Sequence, residues 1–334
     1  MTSGETEPRA RLDEFALIAK LFAPLTQNMP GAFALTDDVA VLAPPAGHKV
    51  VLKTDSLIEG VHFLRSDPPA LVARKGLRRA LSDLAAKGAE PCVYLLALAL
   101  PPWPDMEWLR AFADGLGADQ AEFGLSLVGG ETNATPGPLT LTVTAVGYVP
   151  NCALIRRNGA RAGDRVYVTG TIGDAGCGLR LATGNAATVS EGARAFLVSR
   201  YRLPIPRLST GLALRGIASA ALDVSDGLLA DLGHVADVSG VRIEIDAAEI
   251  PLSTALRELW GDSIEARSRA AGAGDDYEIA FTAAAPGSPA LSEIARRTST
   301  AITPIGRVVA GHGVAFLDRA GKEILVETKG YTHY

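Results

Sequence analysis

Five short apolar runs in this 334-residue chain have a carboxylate close beside them. Thr36-Asp37-Asp38 precedes the run at 39–42, and Thr54-Asp55-Ser56 follows the run at 50–52. Asp83 lies within 80–86, Gly129-Gly130-Glu131-Thr132 follows Leu127-Val128, and Asp223-Val224-Ser225-Asp226-Gly227 follows 218–222. Carboxylate oxygens are hard ligands that suit Mg²⁺, which usually takes one or two of them and completes an octahedron with water and phosphate oxygens. Several such acids converging would hold divalent ions between two polyphosphates and offset the repulsion between the anions. Taken singly, Thr-Asp and Asp-Gly steps serve equally as caps or turns, and Asp83 as a buried, hydrogen-bonded acid. Asp37-Asp38 differs, because adjacent carboxylates at a strand start repel unless a cation compensates. On the residues alone, the reading is a divalent-metal site.

Other catalytic apparatus is missing from the sequence. It has no Gly-x4-Gly-Lys-Ser/Thr phosphate loop, no Gly-x-Gly-x-x-Gly opening a helix, no protein-kinase signature and no His-Glu-x-x-His pair. The five histidines form no Ser-His-Asp spacing. Chemistry here must rest on acids placed at strand ends and turns.

Those acids need elements to position them. Apolar residues at 12, 15, 16, 18, 19 and 22 predict a helix over 11–22. Short β-branched runs at 39–42 and 50–52 predict strands. A helix over 71–87 should end at Gly88, a strand over 94–100 at Pro101-Pro102. A helix is expected over 108–116 and a period-2 strand over 139–149. Pro150, Asn158-Gly159 and Gly163 suggest a seam, giving domains 1–150 and 151–334. The second half predicts strands at 165–168, 242–245, 277–281 and 314–317, with helices at 176–182, 191–201, 209–218 and 229–238. The order β, β, α, β, α, β in the first half suits an α/β sandwich better than a doubly wound sheet.

Composition bounds the rest. The length suits two domains, and 48% hydrophobic residues supply a core for each. A net charge of −5 gives no surface built for nucleic acid. Three widely spaced cysteines make neither a disulfide framework nor a zinc pattern, which suits a reducing cytoplasm. The start has no signal arrangement. The longest apolar run, 92–100, falls far short of the ~20 residues that span a membrane. A soluble, cytoplasmic protein is expected.

Taken in order, a set of segments resembles one family nearly end to end. They are Asp13-Glu-Phe-Ala-Leu-Ile18, Asp37-Asp-Val-Ala-Val-Leu42, Thr54-Asp-Ser-Leu-Ile-Glu-Gly-Val-His-Phe63 and Leu81-Ser-Asp-Leu-Ala-Ala-Lys-Gly-Ala-Glu-Pro91. Gly129-Gly-Glu-Thr132, Gly163-Asp164, Val168-Thr-Gly-Thr-Ile-Gly173 and Asp223-Val-Ser-Asp-Gly-Leu228 continue it. Gly274-Asp-Asp-Tyr-Glu278, Ile305-Gly306 and Gly330-Tyr-Thr-His-Tyr334 complete it. The chain resembles the thiamine-monophosphate kinases, of the superfamily that includes aminoimidazole ribonucleotide synthetase.

The resemblance implies a two-domain α/β (α+β) fold. An N-terminal sheet-and-helix domain pairs in a homodimer, and a C-terminal α/β sandwich completes the nucleotide and substrate site. It implies transfer of the ATP γ-phosphoryl group to thiamine monophosphate, with several Mg²⁺ ions. By matching position, Asp38, Thr54, Asp55, Asp83, Glu131, Asp223 and Asp226 would hold metal. Gly130, Glu131, Arg157 and Ser225 would meet ATP, and His62, Asp275 and Tyr331 the thiamine part. No dedicated base or nucleophile is implied. Two residues depart from the family pattern: Glu131 replaces the usual aspartate, and Lys53 stands where a hydroxyl residue often precedes Thr-Asp. Two rivals in the superfamily would show a reactive Cys near the N-terminus or a terminal Cys. This sequence has no Cys before Cys92 and ends His333-Tyr334. Another superfamily enzyme, or a non-catalytic nucleotide- and metal-binding relative, is the alternative.

Overall fold

The computed structural model describes residues 14–27, 29–184, 189–284, 288–326 and 330–331. Residues 11–13 of the first expected helix and 332–334 of the last matched segment lie outside the described residues. The chain divides into two units, 1–43 with 54–76 and 92–144, and 44–53 with 77–91 and 145–334.

The first expected helix is short. After α1 (Glu14–Leu17) the chain widens into a π-turn at Ile18–Phe22 and then a 3₁₀ turn at Ala23–Thr26, which contains Pro24. The segment 39–42 is not a strand, which corrects the expectation. Val39 and Val41 are exposed, and the amide of Val41 bonds Gly31 O, at 2.9 Å, outside any ladder. A β-branched run becomes a strand only where another strand supplies the pairing.

Four strands form the first sheet: β1 (His48–Ile58), β2 (Glu90–Leu100), β3 (Ser126–Ala134) and β4 (Thr140–Pro150), in the order β1-β4-β2-β3. Between β1 and β2 runs α2 (Pro69–Ala86), and Gly88 follows it at φ 62°, the left-handed position expected of a helix stop. β2 and β3 are parallel and joined through α3 (Met106–Phe123), a βαβ crossover. Asp105 caps α3, its carboxylate accepting from Trp108 N at 2.9 Å, and Gly124 ends it at φ 70°.

Six strands form the second sheet, with helices on both faces. They are β5 (Asp164–Thr169), β6 (Ala218–Asp223), β7 (Arg242–Asp246), β8 (Ile279–Ala284), β9 (Ile302–Val309) and β10 (Gly313–Leu317), in the order β10-β7-β9-β5-β8-β6. The helices are α4 (Asp174–Ala182), α5 (Glu191–Arg202), α6 (Leu208–Ala213), α7 (Leu228–Ser239), α8 (Thr254–Trp260), α9 (Ile264–Ala271) and α10 (Ser288–Thr298). Strand alternation sends Val166 and Val168 to one core with Leu228, Leu232 and Val235 of α7. It sends Tyr167 to the other, stacked at 5.2 Å on Phe281 and packed with Leu291 and Ile294 of α10. This is the expected α/β sandwich.

Where β5 ends at Thr169 and Glu278 leads into β8 lies a buried ion network. Glu278 accepts from Arg200 at 2.8 Å, from Arg207 Nε at 2.7 Å and from Thr169 Oγ1 at 2.7 Å. Burial pushes its carboxyl up, but the bonds and charges of Arg207 and Arg200 outweigh burial and hold it below the ordinary range.

Candidate functional site

In the second unit, β6 ends on Asp223, which is 5% exposed, and the chain turns through Val224-Ser225-Asp226-Gly227 into α7. That turn has no slack. Asp231, in the first turn of α7, accepts from the amides of Ser225, Asp226 and Gly227 at 3.0, 3.1 and 3.2 Å. Gly227 sits at φ 132°, where a side chain is strained, and Gly330 and Gly272 crowd it. Asp275 N bonds Ser225 O and Tyr331 N bonds Asp226 O, both at 2.8 Å. Four residues expected at the site, Ser225, Asp226, Asp275 and Tyr331, are therefore tied together through their backbones. Asp275 adopts φ 66° and accepts from the Tyr277 hydroxyl at 2.8 Å. The Tyr331 side chain is 55% exposed.

Beside this turn stands a group of charges. Lys53 Nζ lies 2.7 Å from Asp83 Oδ2. Burial raises Asp223 to about 8, the charge of Asp83 adding to it and Lys53 opposing. Lys87 donates to Ala221 O at 2.6 Å. Burial lowers its ammonium to about 8, with Arg157 adding to the shift and Asp223 and Asp83 opposing it. Asp83, Asp223, Lys53, Lys87 and Arg157 thus share one electrostatic neighbourhood. Asp231 is raised to about 7 by burial and by Asp226. Arg157 itself is exposed.

The first unit carries the other expected residues. Asp38 is exposed in the loop after a 3₁₀ segment (Pro30–Leu35) whose Phe33, Ala34 and Leu35 all have positive φ. On β1, Thr54 is exposed and its hydroxyl lies 2.9 Å from that of Thr144. His62 Nδ1 accepts from Ile58 N at 3.0 Å, fixing the ring in the turn after β1. Gly130 pairs with Leu96 and Glu131 with Ala97 across β2 and β3. A Cβ on Gly130 would strike Leu96 O. Gly130→Ala is therefore expected to part β3 from β2, with a lower melting temperature and lost nucleotide binding, read by thermal unfolding with and without an ATP analogue. Near-parental values for both would remove the close approach from the account. Among the described residues, no three or more His, Cys, Asp or Glu already stand together as a ready-made metal group.

Two residues of this neighbourhood escape the sequence reading. Asp231 had a legible signal, a lone acid on the apolar face formed by Leu228, Leu229, Leu232 and Val235. Lys87 had none, since a lysine before a helix-stopping glycine is ordinary.

The AIR synthase related protein models match in sequence order, the N-terminal domain over residues 36–149 and the C-terminal domain over 161–318. The thiamine-monophosphate kinase of Caulobacter vibrioides is 41% identical over 324 residues, 96% of this chain and 90% of the relative. The chain belongs to the thiamine-monophosphate kinase family. The family member from Escherichia coli strain K12 is 37% identical over 96% of this chain and 98% of its own. Among solved structures, the thiamine-monophosphate kinase of Stenotrophomonas maltophilia K279a is 43% identical with TM-score 0.79, covering 87% of this chain and 91% of that one. AaThiL complexed with AMPPCP and TMP is 33% identical with TM-score 0.75, covering 98% and 99%. Escherichia coli HypE, a hydrogenase maturation protein, shares the fold at 21% identity and TM-score 0.76, over 96% of this chain and 98% of that one.

Proposed function

We propose that this chain transfers the γ-phosphoryl group of ATP to the phosphate of thiamine monophosphate, giving thiamine diphosphate and ADP. The observation that carries the reading is the end-to-end match to thiamine-monophosphate kinases, one of them solved with AMPPCP and TMP bound. The residues agree chemically. An acceptor phosphate oxygen is already anionic near neutral pH, so no dedicated base is needed. Catalysis then reduces to positioning and electrostatics, which is what a chain with placed acids and no nucleophile offers.

The donor set fits Mg²⁺. Asp83 and Asp223 present hard oxygens near enough for the charge of one to resist ionisation of the other, an arrangement that a divalent ion relieves. Asp38, Thr54, Asp55, Asp83, Glu131, Asp223 and Asp226 would hold the ions. Thr54 would act through its backbone carbonyl or through its hydroxyl, which lies 2.9 Å from that of Thr144. Bound Mg²⁺ supplies neutralisation of the two phosphate groups and of the charge on the transferring group.

The chain's own side chains do the rest. Asp231 fixes the backbone carrying Ser225 and Asp226, and Arg157 offers an exposed guanidinium to the nucleotide phosphates. Gly130 and Glu131 meet the same nucleotide. His62, Asp275 and the Tyr331 ring take the thiamine part, an acid and an aromatic face suiting a cationic thiazolium. The domain boundary lies near residue 150, in keeping with the spans of the two family models. Two copies pair through the N-terminal domain, in keeping with β1 at a sheet edge and its exposed Val50 and Leu52. No helix among the described residues is long and apolar enough to cross a membrane, in keeping with a place in the cytoplasm.

The test is acceptor choice. Purified chain given Mg²⁺ and ATP should form a diphosphate from thiamine monophosphate and none from free thiamine or unrelated monophosphates. ATP binding without product from thiamine monophosphate refutes the reading.

A further inference from the structure

Residues alternate across β1, with 51, 53, 55 and 57 shielded and 52, 54 and 56 exposed. Lys53 and Asp55 thus project from the same side of the strand, the shielded one. There the Lys53 ammonium lies 2.7 Å from Asp83 Oδ2, while its aliphatic stem stays partly covered. The Asp83 carboxylate therefore meets one fixed cation supplied by the chain, and the charges of Lys53 and Lys87 both act on the neighbouring Asp223.

An ammonium and a divalent ion meet a carboxylate in different ways. The ammonium is a compact point charge that donates three hydrogen bonds and can turn one toward a phosphate oxygen. The metal needs open carboxylate oxygens at close to octahedral angles. An oxygen of Asp83 that accepts from Lys53 at hydrogen-bond distance is not open in that sense, and the positive charge beside it repels a second cation.

We propose that Lys53 takes the place of one divalent cation at Asp83, so that this chain binds its anionic substrates with one Mg²⁺ fewer than it would with a hydroxyl residue at 53. The proposal rests on the reading of Asp83 as a metal-facing residue. It adds a charge-bearing position, Lys53, to the binding machinery.

Metal counting tests it. Mn²⁺ stands in for Mg²⁺, and its free concentration is followed by electron paramagnetic resonance during titration of the full chain saturated with a non-hydrolysable ATP analogue. Lys53→Ser and Lys53→Met should each bind one more Mn²⁺ per chain than the parent; Met keeps the stem and removes only the charge. The extra ion should disappear in Lys53→Ser/Asp83→Asn. Equal counts in the parent and both single variants overturn the proposal, as does an extra ion that persists without the Asp83 carboxylate. A parent that makes no thiamine diphosphate, beside a Lys53→Ser variant that still gains the Asp83-dependent ion, removes the kinase reading and upholds the proposal.

Discussion

Asp223→Asn is expected to lower turnover about 10²–10³-fold, the scale of losing one pre-placed electrostatic group at a transferring centre. Asparagine keeps the shape of the side chain and one carbonyl oxygen but removes the charge that would bind the metal. Thermal unfolding separates a loss of chemistry from a loss of fold, because burial and Asp83 already disfavour a charge at 223. In the metal-free protein the Asp223 carboxyl stands at about 8, raised by burial and by Asp83. A raised carboxyl means that the native state holds a proton which the unfolded state has released. Stability therefore falls as pH rises from about 4, the ordinary aspartate value, toward 8. An uncharged residue at 223 removes that slope. The metal-free variant should unfold at no lower a temperature than the parent at pH 8 while its steady-state rate collapses. Near-parental turnover would take Asp223 out of the site.

Glu278→Ala is expected to cost about 3–5 kcal/mol of stability, the usual consequence of stripping one partner from a buried ion network. It leaves Arg200 and Arg207 without their carboxylate, and Thr169 Oγ1 without its acceptor. The sign with pH is opposite to that of Asp223. Glu278 is held below the ordinary glutamate range, so its stabilisation is complete above about pH 4.5. That stabilisation is lost as pH falls through the depressed value of the folded protein. Denaturant unfolding at neutral pH should show the loss in full, and the gap between variant and parent should narrow in acid. A variant within about 1 kcal/mol of the parent at neutral pH would show the network to be dispensable.

Much of the fold was legible because local chemistry and tertiary context agree. Gly88 stops α2 where a left-handed residue is required, and the Leu-Thr-Leu-Thr-Val-Thr alternation of β4 survives pairing on both sides. The misses have particular causes. No strand was expected over 126–134, yet the segment pairs as β3, and Gly130 packs there against the Leu96 carbonyl where no side chain fits. No strand was expected over 302–309, where Pro304 and Gly306 interrupt the apolar run, and a register shift opposite Val166 and Tyr167 lets β9 continue past them. β8 begins later than expected, at Ile279, because Asp275 and Tyr277 hold positive φ and cannot extend the ladder. The expected helix at 209–218 stops at Ala213, and Ala218 opens β6 instead. Apolar spacing alone does not separate those two outcomes.

The site divides in the same way. The acids were visible as types beside apolar runs, and the Asp223–Gly227 segment was visible as a turn entering a helix. The partner of Lys53 was not visible, because residues 53 and 83 are brought together only by folding. Nor was the role of Asp231, whose three backbone donors come from the preceding turn.

The position of a label decides whether the γ-phosphoryl group passes from phosphate to phosphate. With ATP labelled at the γ-phosphate, Mg²⁺ and thiamine monophosphate, the label is expected in the terminal phosphate of thiamine diphosphate, matched mole for mole by ADP. Thiamine diphosphate lacking that label, AMP in place of ADP, or label recovered only as free phosphate would contradict it.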